Sequence, residues 1–206
     1  KHLKSMKLTT VNKNLFPLVF LVLLSLGSCA EKNRTFSRAQ IAIVPQPLSV
    51  NVQESSFALK DGLSISSNLD EQQSAVQDLQ TYITKTTTYK LSKKDKAKAS
   101  IVFEQKSGLG AEAYELTVTP KKITISASSK AGYFYGVQTL KQLLSIETAK
   151  ISQKTAYLIP SVSIKDNPRF QWRAFMLDDA RYFHGEAFVK QMLDQMALLK
   201  MNTLHW

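Results

Sequence analysis

Four side chains with chemical capacity fall close together near the C-terminal end of the chain: Asp178, Asp179, Arg181 and His184. Carboxylates, a permanently charged guanidinium and an imidazole can between them hold a polar substrate or move a proton. Adjacent residues on an extended chain point to opposite faces, so Asp178 and Asp179 make a poor acid/base pair, and a structural role at a strand end suits each. Arg173 stands just upstream and His205 just before the last residue. The single cysteine, Cys29, lies far from all of these and has no partner in the chain for a disulfide.

The elements around these residues give them a place. Trp172–Leu177 predicts a buried strand, and 178–185 a loop. Glu186–Met201 predicts a helix, with an apolar stripe of Phe188, Val189, Met192, Leu193, Met196, Ala197 and Leu199. A further strand starts at Thr203. Strand, helix and strand make a right-handed βαβ unit, the opening of a (β/α)8 TIM barrel. In such barrels the loop after each strand lies on the active-site face. A whole barrel takes about 250 residues. Pro168–Trp206 is therefore expected to be a truncated barrel start, and the chain the N-terminal fragment of a longer enzyme.

Upstream, residues 41–160 predict a separate α+β domain, an antiparallel sheet with two helices. The helix over 70–86 has apolar residues at Ala75, Val76, Leu79, Tyr82 and Ile83, the spacing of one helical face. Segments 114–120 and 121–128 alternate with period two about Pro120-Lys121, which predicts a hairpin. A second helix runs over Lys130–Ile146. Pro160 and Pro168 bracket an expected linker. No residue of this domain has an evident catalytic role, and Tyr133, Phe134 and Tyr135 suit a core and a domain interface.

The formal charge is +11, but the basic residues are scattered. The densest run, Lys93, Lys94, Lys96 and Lys98, is broken by Asp95 and suits a solvated loop. A nucleic-acid partner would need a basic stripe with aromatics or a motif, and neither is present. Met6 is the expected start of translation. After it come Lys7 and Lys13, then the apolar run Leu15–Leu26, too short to span a bilayer and suited to a secretory signal. Leu26-Gly27-Ser28-Cys29 resembles the lipobox of bacterial lipoproteins, which implies a signal over 1–29, a lipid on Cys29, a polar tether over 30–40, and an exported protein, periplasmic or at the cell surface, anchored to a membrane.

The segments PRFQWRAFMLDDARYF and VKQMLDQMALLKMNTLHW resemble the start of the catalytic barrel in family 20 glycoside hydrolases, the β-N-acetylhexosaminidases. AYELTVTPKKITISASSKAGYFYGVQTLKQLL resembles the accessory α+β domain that precedes that barrel, and IVPQP its beginning. The resemblance implies cleavage of terminal β-linked N-acetylglucosamine or N-acetylgalactosamine, with N-acetylhexosamine-ended glycans as partners and no metal or other cofactor. It implies substrate-assisted retention, with the acetamido oxygen as nucleophile. The Asp-Glu pair that supports this lies further along in the family, so no catalytic residue is assigned here. Arg173 matches the family arginine that binds the terminal sugar's hydroxyls; an internal ion pair is the other reading. Asp178 and Arg181 match positions expected to support the pocket, and His205 either faces it or is structural. Ala113 and Ala174 replace common glycines, and Tyr182 replaces a common histidine. The alternatives are a non-catalytic glycan-binding lipoprotein on the same scaffold and a different barrel hydrolase with a similar accessory domain.

Overall fold

The structure is a computed structural model that describes residues 36–37, 41–145, 148–151 and 154–206. The signal segment, Cys29 and most of the expected tether lie outside the described residues. Within that tether, Phe36 is buried with Leu158 against Val52 and Ala58, so the chain has joined the fold by that point.

The elements run in the order β1 (Ser49–Leu59), β2 (Ser64–Ser66), α1 (Asp70–Thr87), β3 (Ser92–Lys93), β4 (Ile101–Gln105), β5 (Tyr114–Val118), β6 (Ile123–Ala127), α2 (Lys130–Ser145), β7 (Thr148–Ile151), β8 (Lys154–Asp166), β9 (Ala174–Met176), α3 (Glu186–Leu198) and β10 (Thr203–His205). Two sheets result. The larger has the order β1-β8-β5-β6-β4-β2-β3, with β7 on β8, and the smaller pairs β10 with β9.

The α+β expectation holds, but the large sheet is mixed rather than antiparallel. β1, β8, β5 and β6 pair antiparallel in turn, and the hairpin places Leu116 opposite Ile125. From β6 onward the ladder is parallel, β6 with β4, β4 with β2 and β2 with β3. The reason is connectivity. β2 and β4 are joined through α1, a crossover that allows parallel pairing. Pro160 also departs from expectation: it lies inside β8, opposite Ser56, not in a linker. The pairing with β1 is irregular between Val52 and Ser56, and proline's missing N–H is tolerated where a ladder is interrupted. Residues 41–48 form no strand and lead into β1 through a cis Val44-Pro45 bond.

The core lies between the sheet and its helices. α2 packs on β5, β6 and β8, and α1 packs against α2. Alternate residues Tyr114, Leu116, Val118, Ile123 and Ile125 are sealed beneath α2, as period-two patterning requires. Contact is close enough that a Cβ on Gly136 would come 2.7 Å from Ile125 Cγ2, and one on Gly132 would come 2.4 Å from the carbonyl oxygen of Ala113. At α1, Gln72 turns back to accept from the amides of Asn68 and Leu69, while Asp70 and Glu71 place negative charge on the first turn.

Beyond β8 the chain forms the βαβ unit. β9 and β10 are parallel, with Ala174 opposite Thr203 and Met176 opposite His205. The strand around β9 is not buried as expected: Trp172 is 72% exposed, and Phe175, Met176 and Trp206 are exposed too. Burial of both faces of a parallel strand needs cover on each side. Among the described residues β9 has one neighbouring strand, β10. Helix α3 stops at Leu198, three residues before the expected Met201, because Lys200 takes a left-handed φ of 59° and the Met201 amide bonds back to the Met196 carbonyl.

Candidate functional site

The six expected residues divide between the two ends of the βαβ unit. Asp178 follows the C-terminal end of β9, and His205 ends β10, with the Leu177 amide donating to the His205 carbonyl at 2.9 Å. Arg181 pairs with Asp178 at 3.0 Å and its amide bonds to Asp178 Oδ1 at 3.3 Å. Asp179 accepts from the His184 amide at 2.9 Å, and the His184 ring stacks on Phe188 with centroids 4.4 Å apart. The two carboxylates therefore brace the loop separately, as their adjacent positions demand. Asp178, Arg181 and His205 are exposed at the end of the strands where a barrel presents its substrate face. Beside them a largely apolar hollow is lined by Phe183, Val189, Leu193 and Trp206, with Asp179, Glu186 and Lys190 also along it.

Arg173 lies at the other end, immediately before β9, and its surroundings differ from those expected of a sugar ligand. Its Nη1 and Nη2 donate to Glu112 Oε2 and Oε1 at 3.0 and 2.9 Å, a bidentate pair. Nη1 also donates to the Phe170 carbonyl at 2.6 Å, Nη2 to the Tyr135 hydroxyl at 2.9 Å, and Nε to the Lys200 carbonyl at 2.7 Å. A guanidinium has five N–H donors, and here every one is taken inside the protein. The internal ion pair is thus the state the structure displays, and a sugar hydroxyl would have to displace one of these acceptors. Arginine's hydrogen bonds hold Glu112 below the usual carboxylate range, and the same bonds push Arg173 upward. Burial, then the nearby Glu112 charge, raises the Tyr135 phenol.

A second cluster adjoins the first. Lys200 is only 4% exposed; its Nζ donates to Tyr114 Oη at 2.8 Å and to Asp166 Oδ2 at 2.9 Å. The Tyr114 hydroxyl donates to Asp166 Oδ2 at 2.9 Å and lies 2.6 Å from Thr139 Oγ1. Burial lowers the Lys200 ammonium below the ordinary lysine value, against the pull of Asp166, and burial with the Asp166 charge raises Tyr114. The cations Arg173 and Lys200 come from the βαβ unit. The anions Glu112 and Asp166 come from the α+β domain. Glu112, Asp166 and Lys200 escaped sequence reading, whereas Arg173 was singled out there with an internal ion pair as one of its two readings. Asp166 falls within the linker expected between Pro160 and Pro168, and Glu112 sits in an unpatterned loop. The available signal was Lys200 itself, a long cation just after a helix where glycine is usual.

Among the described residues no group of three or more His, Cys, Asp or Glu is arranged to hold a metal ion. The chain's one adjacent Asp-Glu, Asp70-Glu71, opens α1 in the α+β domain and is not at a barrel strand end.

Comparison with known proteins follows the same division. Residues 40–167 match the family described as Glycosyl hydrolase family 20, domain 2, and residues 170–206 match Glycosyl hydrolase family 20, catalytic domain. A β-hexosaminidase of Vibrio furnissii is 34% identical over 170 residues, 82% of this chain and 26% of that protein. A β-hexosaminidase of Porphyromonas gingivalis is 30% identical over 89% of this chain and 25% of its own length. The chain thus spans about a quarter of the length of these relatives. Among solved structures, the family 20 exo-β-N-acetylglucosaminidase of Vibrio harveyi, bound to N-acetylglucosamine, superposes with a TM-score of 0.73 at 29% identity, covering 84% of this chain and 26% of that one. The Streptomyces plicatus N-acetyl-β-hexosaminidase gives 0.72 at 31% identity, over 84% and 36%. Matched in order across its accessory domain and the opening of its catalytic domain, the chain belongs to glycosyl hydrolase family 20.

Proposed function

We propose that the protein to which these residues belong is a β-N-acetylhexosaminidase. It removes terminal β-linked N-acetylglucosamine or N-acetylgalactosamine from glycans with retention, the substrate's acetamido oxygen acting as nucleophile. The observation that carries this reading is the consecutive match to domain 2 and the catalytic domain, with relatives named as hexosaminidases on both sequence and structure. In this reading Asp178, Arg181 and His205 support the substrate face, while Arg173, at the opposite end of β9, keeps its internal ion pair with Glu112. No catalytic residue is assigned within the 206 residues, so this stretch by itself is inactive. The protein is exported and anchored through a lipid on Cys29.

The test is hydrolysis of an aryl N-acetyl-β-glucosaminide by the full-length protein, with the product's anomeric configuration followed by NMR. Release of the β-anomer supports the proposal. No release, together with measurable binding of N-acetylglucosamine, would establish the glycan-binding alternative. Metabolic labelling with a radioactive fatty acid tests the anchor: wild type should carry label and Cys29→Ser should not.

A further inference from the structure

We propose that Glu112, in the accessory domain, is a positioning residue for the catalytic domain: through Arg173 it fixes where the first two barrel strands lie. The seat of the carboxylate is built before Arg173 meets it. Its loop is pinned from the β6–α2 turn, where Ser128 Oγ donates to the carbonyls of Leu109 and Gly110 at 3.0 and 3.3 Å and Ser129 Oγ donates to that of Ala111. The Ala113 amide closes the loop on Gly110 at 3.0 Å. Ala113 in turn presses on Gly132, where there is no room for a Cβ. Tyr135, from α2, donates to Glu112 Oε1 at 3.2 Å. The carboxylate is therefore aimed by rigid elements, which is how a precise contact is held.

What Glu112 holds is the start of both strands. Arg173 is the residue before β9, and its carbonyl accepts from the amides of Asn202 and Thr203 at 2.9 and 3.3 Å. Its own amide donates to Asn202 Oδ1 at 3.0 Å, and its Nε reaches the Lys200 carbonyl in the turn that feeds β10. One guanidinium thus couples a loop of the accessory domain to β9, to β10 and to the turn between α3 and β10. At the far ends of those strands stand Asp178 and His205. A change in the placement of Arg173 is carried along two short, stiff strands to the substrate face. The accessory domain so contributes to the sugar site without touching it.

For its kinetic readout the proposal rests on the hexosaminidase reading, so it is tested by two measurements. In the full-length protein, Glu112→Gln keeps the shape and removes the charge, Glu112→Asp keeps the charge on a shorter arm, and Glu115→Gln removes a carboxylate that pairs with Lys106 and Lys165 on the face of β5 opposite Tyr114. Hydrogen exchange should accelerate at least tenfold at the amides of Leu177, Asn202 and Thr203 in Glu112→Gln, by less in Glu112→Asp, and not at all in Glu115→Gln. The β5–β6 amides should keep their protection throughout. On an aryl N-acetylglucosaminide, Glu112→Gln should raise KM at least fivefold and change kcat less than threefold, with Glu112→Asp partly restoring KM. Unchanged exchange at those three amides, or equal acceleration across β5–β6, would overturn the proposal, since the second is general loosening. If the wild type cleaves no such substrate, the functional reading fails and the exchange pattern alone decides.

Discussion

Two ion pairs of nearly equal length mark the difference between the accessory domain's boundary and the substrate-facing end of the barrel unit. Lys200–Asp166 spans 2.9 Å and is buried, while Arg181–Asp178 spans 3.0 Å and is largely exposed. The surroundings follow suit. Tyr114, Ile125 and Leu140 are sealed in the accessory domain, whereas Tyr182, Phe183 and Trp206 stand in water. Distance therefore says little about what a contact contributes. The dielectric around it, and the number of neighbours that must be satisfied, decide.

That contrast can be broken by measurement. Asp166→Ala strips the buried ammonium of its counter-charge and should destabilise the fold by about 3–5 kcal/mol in denaturant titration, while Arg181→Ala should leave it within about 0.5 kcal/mol. Equal effects would mean that burial is not what separates the two pairs. Leu140→Ala should cost about 2–5 kcal/mol, because α2 cannot collapse onto the cavity, and Leu193→Ala, on the exposed side of α3, should cost clearly less. Gly136→Ala forces a Cβ against Ile125 and should cost about 1–3 kcal/mol.

The smallest effect is one of pH. Glu112 is held below the usual carboxylate range by Arg173, so on acidification the unfolded chain takes up its proton first. The stability it contributes is fully present above about pH 4.3, the value for an unfolded Glu, and is lost as the pH falls through the depressed folded value. Glu112→Gln should flatten the acid limb of the stability curve below that point. An unchanged limb would show that Arg173 does not bias this carboxylate.

The periodic parts of the fold were legible. The 3.6-residue spacing of Leu79 and Ile83 gave α1, and the alternation about Pro120 gave the β5–β6 hairpin. Both signals are local, and local patterning declares which face an element offers. The parallel half of the sheet was not legible, because β2, β4 and β6 are brought side by side by the path of the chain and not by anything within each strand. The linker expected between Pro160 and Pro168 was placed too early for a related reason: β8 runs on to Asp166 through its pairing with β1 and β5, and neither partner is adjacent to it in sequence. Near the candidate site, the expected loop does lie between β9 and α3. The joint was hidden because Glu112, Asp166 and Lys200 are isolated in sequence and acquire meaning only through partners dozens of residues away.

One further property follows from where the indoles fall. The chain has two tryptophans, Trp172 and Trp206, and both belong to the barrel unit, each at least 70% exposed. The accessory domain has none, although it is rich in tyrosine. Within these 206 residues, selective excitation of indole thus reports on the barrel strands and not on the accessory domain, with red-shifted emission and ready quenching by iodide so long as Trp172 and Trp206 face solvent. Any partner or segment that covers those strands announces itself as a blue shift, without a label and without a change in the far-ultraviolet circular dichroism of the accessory sheet.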